Sequence, residues 1–425
     1  MANRIKEAIL EQKKNRERIL ELPYIRRTRT PELEKMLQND LIKIILGPRR
    51  CGKSYFAMHV FKPNESAYIN FDDERLKNIK NYDEIIQELI AAYGDTRFLF
   101  FDEIQNLPDW ELFVNRLHQQ GYQILLTGSN SKLLSKELAT HLTGRHQSLE
   151  LMPFDFQEFL TAKNFTVDPL NTALAQQKGL MLNLLQLFMK NGGFPEVVLK
   201  DLEPETYLAS LLESLVFRDV ITRYQVRFPT KLYDLELYFI NNIASEFSYR
   251  KLSNILQFKS LATLTKYVGY LEEAYLTSTV HRYSHKAKER LTSAQKGYVI
   301  DNGYITAKSV PVSANSGHSM ENLIFTQLLK QDYRPNLDLF YYKTRNNKEV
   351  DFMIRQGTST TSLIQVAYSV DHPDVQKREI KALIEASEEL KCDNLLILTW
   401  DYEELREVQN KQIQFLPLWK WLINS

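Results

Sequence analysis

Residues Gly47-Pro48-Arg49-Arg50-Cys51-Gly52-Lys53-Ser54 complete the pattern GxxxxGK[ST]. An apolar, β-prone run, Leu41–Leu46, precedes the octapeptide, and Lys53–Phe61 has the composition of a helix. Strand, glycine-rich turn and helix start in that order constrain the fold more than any other feature. The glycines let the backbone turn so that successive amides converge on a phosphate at a helix N-terminus. Lys53 would add a charge between the β- and γ-phosphates, and Ser54 a hydroxyl for Mg²⁺. The expected nucleotide-binding set is therefore Gly47, Pro48, Arg49, Arg50, Cys51, Gly52, Lys53 and Ser54, with Tyr55 following. A glycine turn carrying a surface lysine is the alternative, and the flanking strand and helix argue against it.

Further short apolar runs follow at Ala67–Phe71, Phe98–Phe101, Gln123–Thr127 and Ser148–Leu151, separated by helical stretches such as Tyr82–Ala92 and Pro108–Gln119. Strands buried on both faces look like this, so the reading is an α/β fold with a parallel P-loop NTPase sheet. Phe98–Phe101 runs into Asp102-Glu103, which places Asp102 beside the metal and Glu103 where it can polarise a water. After the fourth run, Asn130 would sit beside the γ-phosphate. Arg145, just ahead of the fifth, could project across a subunit interface as a finger, a device worth about 10³–10⁵ in rate. Ordinary turns and a structural arginine are the plain alternatives for these two.

At 425 residues the chain is too long for one core and predicts about two to four domains. Residues 1–30 carry nine Lys/Arg against four Glu, interleaved with apolar residues. They read as a basic amphipathic helix packed on the body, ending near Pro23. The ATPase-type domain spans 31–160 and a helical region 161–231, broken at Asn191–Pro195. Residues 232–310 offer three short helices, the strand-like Leu276–Tyr283 and a basic stretch, His281–Arg290, which together suggest a winged helix. Lys308–Gly317 reads as a linker. A second α/β unit, 318–425, runs helix (Met320–Leu329), three strands (Leu339–Lys343, Glu349–Arg355, Ser362–Tyr368), helix (Asp374–Leu390), strand (Asn394–Thr399).

The segments Leu46–Ser54, Phe98–Gln105, Leu126–Leu134 and Leu142–Phe159 resemble the prokaryotic AAA+ ATPases whose N-terminal ATPase domain is joined to a characteristic C-terminal domain. Gly192-Gly193-Phe194-Pro195-Glu196, Phe217-Arg218-Asp219-Val220 and Glu349-Val350-Asp351-Phe352 carry the same resemblance. It implies an AAA+/ASCE sheet, ATP binding, an Mg²⁺ ion and a cytoplasmic location. That family's terminal domain is similar to PD-(D/E)XK nucleases, which need a helix carboxylate, an Asp opening a strand, and Glu-x-Lys on the next strand. Glu321 and Asp351 match the first two. Gln365 stands in place of the Glu and Ala367 in place of the Lys, so the fold is expected to persist with its DNA cleavage lost.

Net charge is +1, so no global field draws the chain to nucleic acid or membrane. Two distant cysteines, Cys51 and Cys392, exclude a disulfide framework and a cysteine-rich zinc site. No apolar run approaches the ~20 residues of a membrane helix, and no signal peptide opens the chain, so a cytoplasmic protein is expected. The expected function is an ATP-driven switch or remodeller acting on a protein or DNA partner, assembling as a homo-oligomer if Arg145 acts in trans. A DNA-binding module holding a slowly hydrolysed nucleotide, with the winged helix on the DNA backbone, is the second reading. A nuclease with a migrated lysine, such as Lys343 or Lys348, is the third.

Overall fold

The computed structural model describes residues 2–62, 64–130, 142, 144–167, 174–200, 202–309, 316–370 and 373–424. It comprises two compact units, Met1–Phe154 and Asp155–Ser425. Among the described residues no helix is long and apolar enough to cross a membrane.

The first unit is built on five parallel strands: β1 (Ile42–Leu46), β2 (Ala67–Asn70), β3 (Phe98–Asp102), β4 (Gln123–Gly128) and β5 (His146–Glu150), in the order β2-β3-β4-β1-β5. Every residue of β1 is buried, as an apolar strand covered on both faces must be. β4 lies between β1 and β3, with Leu46 opposite Gly128 and Phe101 opposite Leu126. The loops leaving the C-terminal ends of these three strands are therefore neighbours, which is where open α/β sheets place their ligands. Helix α1 (Ala2–Leu20) turns Ile5, Ala8 and Ile9 inward. Its polar residues reach the body as well. Lys13 donates to the Ala92 carbonyl at 2.7 Å, and Arg16 Nη2 to Ser66 Oγ at 2.8 Å. The basic character of this helix thus serves packing.

In the second unit, helices Pro229–Asn241, Tyr249–Ile255 and Leu261–Glu273 lead into a three-stranded antiparallel sheet of order β6-β8-β7. Its strands are β6 (Glu246–Phe247), β7 (Thr277–His281) and β8 (Gln295–Val299). The short helices start where the chain chemistry says they should. Pro229 occupies the first turn, and Ser248 and Ser260 accept from the amides of Lys251 and Thr263. The connection between β7 and β8 differs from a simple basic hairpin, because it contains a helical turn, Ala287–Thr292. There Lys286 pairs with Glu289 at 2.9 Å, and Arg290 donates to the Ser284 carbonyl at 3.0 Å. Glu289, inside the basic stretch, offsets part of its charge.

The glycine breaker before this region has a packing reason. Gly192 adopts φ 74°, and a Cβ there would lie 1.7 Å from Asp301 Oδ1. Asp301 in turn accepts from the Gly193 and Gly303 amides at 2.8 and 2.9 Å. Burial pushes the Asp301 carboxyl up to about 6, against those amide bonds.

The remaining strands form a six-stranded mixed sheet of order β13-β14-β12-β11-β10-β9. They are β9 (Leu339–Lys343), β10 (Glu349–Gln356), β11 (Ser359–Ala367), β12 (Leu395–Thr399), β13 (Glu404–Val408) and β14 (Lys411–Pro417). Helices Ser316–Lys330 and Pro373–Leu390 complete the helix–three strands–helix–strand order expected for this half. Beyond that expectation lies the β13–β14 hairpin, which turns through Gln409 and Asn410, both at positive φ. Of the expected linker, residues 310–315 lie outside the described residues.

One buried group gives the fold a pH signature. Glu236, inside Pro229–Asn241, is fully buried, and neither carboxyl oxygen has a partner among the described residues. Desolvation pushes it up to about 8. The folded state therefore holds a proton that the unfolded chain releases above the ordinary Glu value. Stability from this group is complete below about pH 4.3 and is lost as pH rises through about 8, at on the order of 1 kcal/mol per unit. Glu236→Gln is expected to flatten the pH dependence of unfolding over that window, read by denaturant titration at several pH values.

Candidate functional site

The site of the first unit assembles at the C-terminal ends of β1, β4 and β3. Between β1 and helix Lys53–Val60 the backbone takes positive φ at Gly47 (145°), Arg50 (65°) and Gly52 (96°), and Gly52 caps the helix. A Cβ on Gly47 would lie 2.0 Å from the Leu151 carbonyl oxygen, so only glycine fits. Cys51 is inert packing: its buried thiol donates to Leu151 O at 3.0 Å, and burial pushes it up. The Lys53 ammonium donates to the carbonyls of Gly47 (3.0 Å) and Pro48 (2.9 Å), so it lies in the hollow of the loop. Arg50 and Tyr55 are exposed beside it.

Asp102 and Glu103 come next. Ser54 Oγ donates to Asp102 Oδ1 at 2.9 Å, Tyr68 OH to Oδ2 at 3.0 Å, and Thr127 also bonds Oδ1. Burial raises the Asp102 carboxyl, helped by the adjacent Glu103, and the three hydroxyls oppose it. Glu103 is left-handed at φ 51°. Its amide donates to Thr127 Oγ1 at 3.0 Å, which locks the strand end to β4. Its Oε2 accepts from Ser129 Oγ at 3.0 Å and from Gln105. Burial pushes Glu103 up, but Lys53 (3.9 Å) and Arg49 (3.9 Å) outweigh it and hold the carboxylate below its ordinary range. Arg49 also pairs with Asp72 at 3.2 Å.

Lys53, Ser54, Asp102 and Glu103 are thus gathered in one buried network, with Asn130 buried at the adjoining end of β4. Arg145 is not part of it. Its carbonyl accepts from Ile42 N at the start of β1, and its guanidinium bonds Asn115 at 2.7 Å. β5 runs parallel to β1 with His146 opposite Ile42. Arg145 thus sits opposite Leu41, and at about 3.3 Å per residue it lies roughly 20 Å from Gly47, at the other end of the sheet. Residues 131–134 and 143, inside the resembling segments, lie outside the described residues.

Sequence reasoning missed Thr127, Tyr68, Ser129 and Gln105. A hydroxyl closing an otherwise apolar strand was the available signal for Thr127. It also missed Arg27, whose Nη1 and Nη2 donate to the carbonyls of Cys51 (2.9 Å) and Met152 (2.6 Å) and brace the loop. Arg26, Arg27 and Arg29 look alike in sequence, so nothing marked it.

In the second unit the expected degenerate triad is close together. The amide of Asp351 donates to Gln365 Oε1 at 3.3 Å, and Gln365 Nε2 donates to Glu379. Glu321 and Asp351 share a partner that sequence reading did not foresee, Lys296, at 2.8 and 3.0 Å.

Residues 39–160 match the family described as an AAA domain, and residues 182–311 and 316–421 match two domains of unknown function. An uncharacterized protein of Methanocaldococcus jannaschii is 39% identical over 407 residues, covering 92% of this chain and 90% of its own. One from Haemophilus influenzae is 29% identical over 408 residues, covering 91% and 96%. Among solved structures, a Walker-type ATPase of Pyrococcus abyssi is similar at 16% identity and TM-score 0.41, covering 68% of this chain and 99% of its own. The RuvB Holliday junction branch migration motor of Thermotoga maritima is similar at 16% identity and TM-score 0.30, covering 68% and 98%.

Proposed function

We propose that this chain, which belongs to the family of the Methanocaldococcus jannaschii relative described above, is an Mg²⁺-dependent ATPase that drives a switch. The single observation carrying this reading is the network joining Lys53, Ser54, Asp102 and Glu103 behind a glycine-shaped loop. The donor set suits both groups. Ser54 and Asp102 offer a hydroxyl and a carboxylate, the hard oxygen ligands that Mg²⁺ prefers. A divalent cation would also relieve the crowding of two buried adjacent carboxylates.

In this reading the backbone N–H groups of 49–54 and the Lys53 ammonium would hold the phosphates, and Ser54 and Asp102 would hold Mg²⁺. A bound ion there would supply charge neutralisation at the transferring phosphoryl group. Glu103, kept ionised, accepts a proton from the attacking water while Ser129 and Gln105 fix its carboxylate. Asn130 contacts the γ-phosphate. Calorimetric titration should give one ATP bound per chain, tighter with Mg²⁺ than with EDTA. Absence of binding under both conditions would sink the proposal.

Arg145 can serve this chemistry only from a neighbouring copy, because its own loop is at the far end of the sheet. Lys53→Ala and Arg145→Ala, each inactive alone, should regain ATP hydrolysis when mixed. No recovery, with both variants folded, would leave Arg145 a structural residue.

The switch would act through the second unit, with the nuclease-like half serving recognition. A DNA partner is the second reading, supported by Lys259 and Lys266, exposed at and on helix Leu261–Glu273. Phosphate contacts there predict binding that weakens steeply with salt.

A further inference from the structure

Lys296 lies on β8, the central strand of the three-stranded sheet, yet its side chain ends among carboxylates from another part of the unit. Its Nζ is 2.8 Å from Glu321 Oε1, 2.7 Å from Glu349 Oε1 and 3.0 Å from Asp351 Oδ1. The ammonium donates hydrogen bonds to Glu321 and Asp351, and Glu349 adds a third carboxylate charge beside it. Lys296 is only 2% exposed, a position where an ammonium persists only if fully paired.

The surroundings fix this arrangement rather than merely permit it. Tyr298, two residues along the strand, donates to the same Glu321 oxygen at 2.7 Å. The Asn322 side chain, next to Glu321, accepts from Val299 N at 2.9 Å and donates to Val299 O at 3.0 Å. Together these bonds set the register of β8 against helix Ser316–Lys330. On the far side, Asp351 Oδ2 accepts from Val366 N at 3.0 Å, so the second oxygen of that carboxylate is also engaged. Gln365 faces Glu379 and the Asp351 amide, and adds no charge at the centre.

We propose that Lys296 is a resident cation that closes the Glu321–Glu349–Asp351 site and latches the winged-helix-like segment onto the C-terminal sheet. The ammonium sits where a divalent cation would have to bridge Glu321 and Asp351. Metal can enter only when β8 withdraws. The contact thus occludes the cation position as well as bracing the fold: a positive charge from another segment fills the site, whose third strand already carries Gln365 and Ala367. It also makes the docking of the two segments an electrostatic event, because separation would leave three carboxylates crowded together.

The test uses the full chain without nucleotide and Mn²⁺ as probe, followed by thermal melting and by electron paramagnetic resonance of free Mn²⁺. Wild type and Asp351→Asn are expected to respond identically to millimolar Mn²⁺. Lys296→Met is expected to melt earlier without metal and to gain a Mn²⁺-dependent rise of about 2–4 °C. That gain should vanish in Lys296→Met/Asp351→Asn. Mn²⁺ bound by wild type and lost in Asp351→Asn would overturn the proposal, and this comparison holds even if Lys296→Met fails to fold. A folded Lys296→Met that ignores Mn²⁺ would overturn it equally.

Discussion

Glu103→Gln is expected to lower Mg²⁺-dependent ATP hydrolysis by about 10²–10⁴-fold, the range a positioned general base contributes. ATP affinity should stay equal or tighten. The asymmetry follows from the neighbours of the carboxylate. Lys53 and Arg49 lie 3.9 Å from Glu103 and partly spend their charge on it. A neutral glutamine keeps the size and the bonds available to Ser129 and Gln105, and removes the carboxylate charge that Lys53 and Arg49 face. Substitution therefore removes the base while strengthening the local positive field. Phosphate release and equilibrium ATP binding, measured on the same preparation, separate the two effects. Equal losses of binding and turnover would mean that Glu103 organises the loop rather than the water.

Lys53→Ala is expected to act on both quantities. A buried charge-assisted hydrogen bond is worth roughly 1.5–3 kcal/mol, so ATP affinity should fall about 10–10²-fold. Turnover should fall further, by about 10²–10³, because the ammonium also stabilises charge that develops during transfer. Lys53→Arg should not rescue it. The ammonium fits between the carbonyls of Gly47 and Pro48, and a planar guanidinium cannot reproduce that compact geometry. Isothermal titration with ATP checks the first figure and single-turnover hydrolysis the second. An alanine variant that binds and hydrolyses normally would place the phosphates elsewhere.

The elements that carry this site were legible for a simple reason. β1, β3 and β4 are buried on both faces, so each appears as an apolar run that ends abruptly in chemistry: Gly47, Asp102-Glu103, Gly128-Ser129-Asn130. Helix and strand order in the C-terminal half was readable by the same alternation. What stayed hidden depends on contacts between distant strands. Tyr68 reaches Asp102 only because β2 pairs β3 in parallel, Asn70 opposite Asp102. Lys296 looks like a polar residue in a short strand, and its hydrogen-bonded partners lie 25 and 55 positions away. The β13–β14 hairpin escaped because alternating Glu404–Val408 is half exposed and weakly apolar, although Gln409-Asn410 marks its turn.

Arg145 shows how topology limits what a motif residue can reach. Its place before the fifth strand is compatible with the expected finger across a subunit interface, because in a parallel sheet a residue before a strand lies at the end opposite the phosphate loop. That rule was available from the strand order alone.

The most direct test of the ATPase reading is steady-state phosphate release from ATP and Mg²⁺ by the wild-type chain, over a wide range of protein concentration. The account predicts release that requires Mg²⁺ and a rate per subunit that rises with concentration as copies supply Arg145 to one another. ATP bound tightly but left intact at every concentration would contradict it.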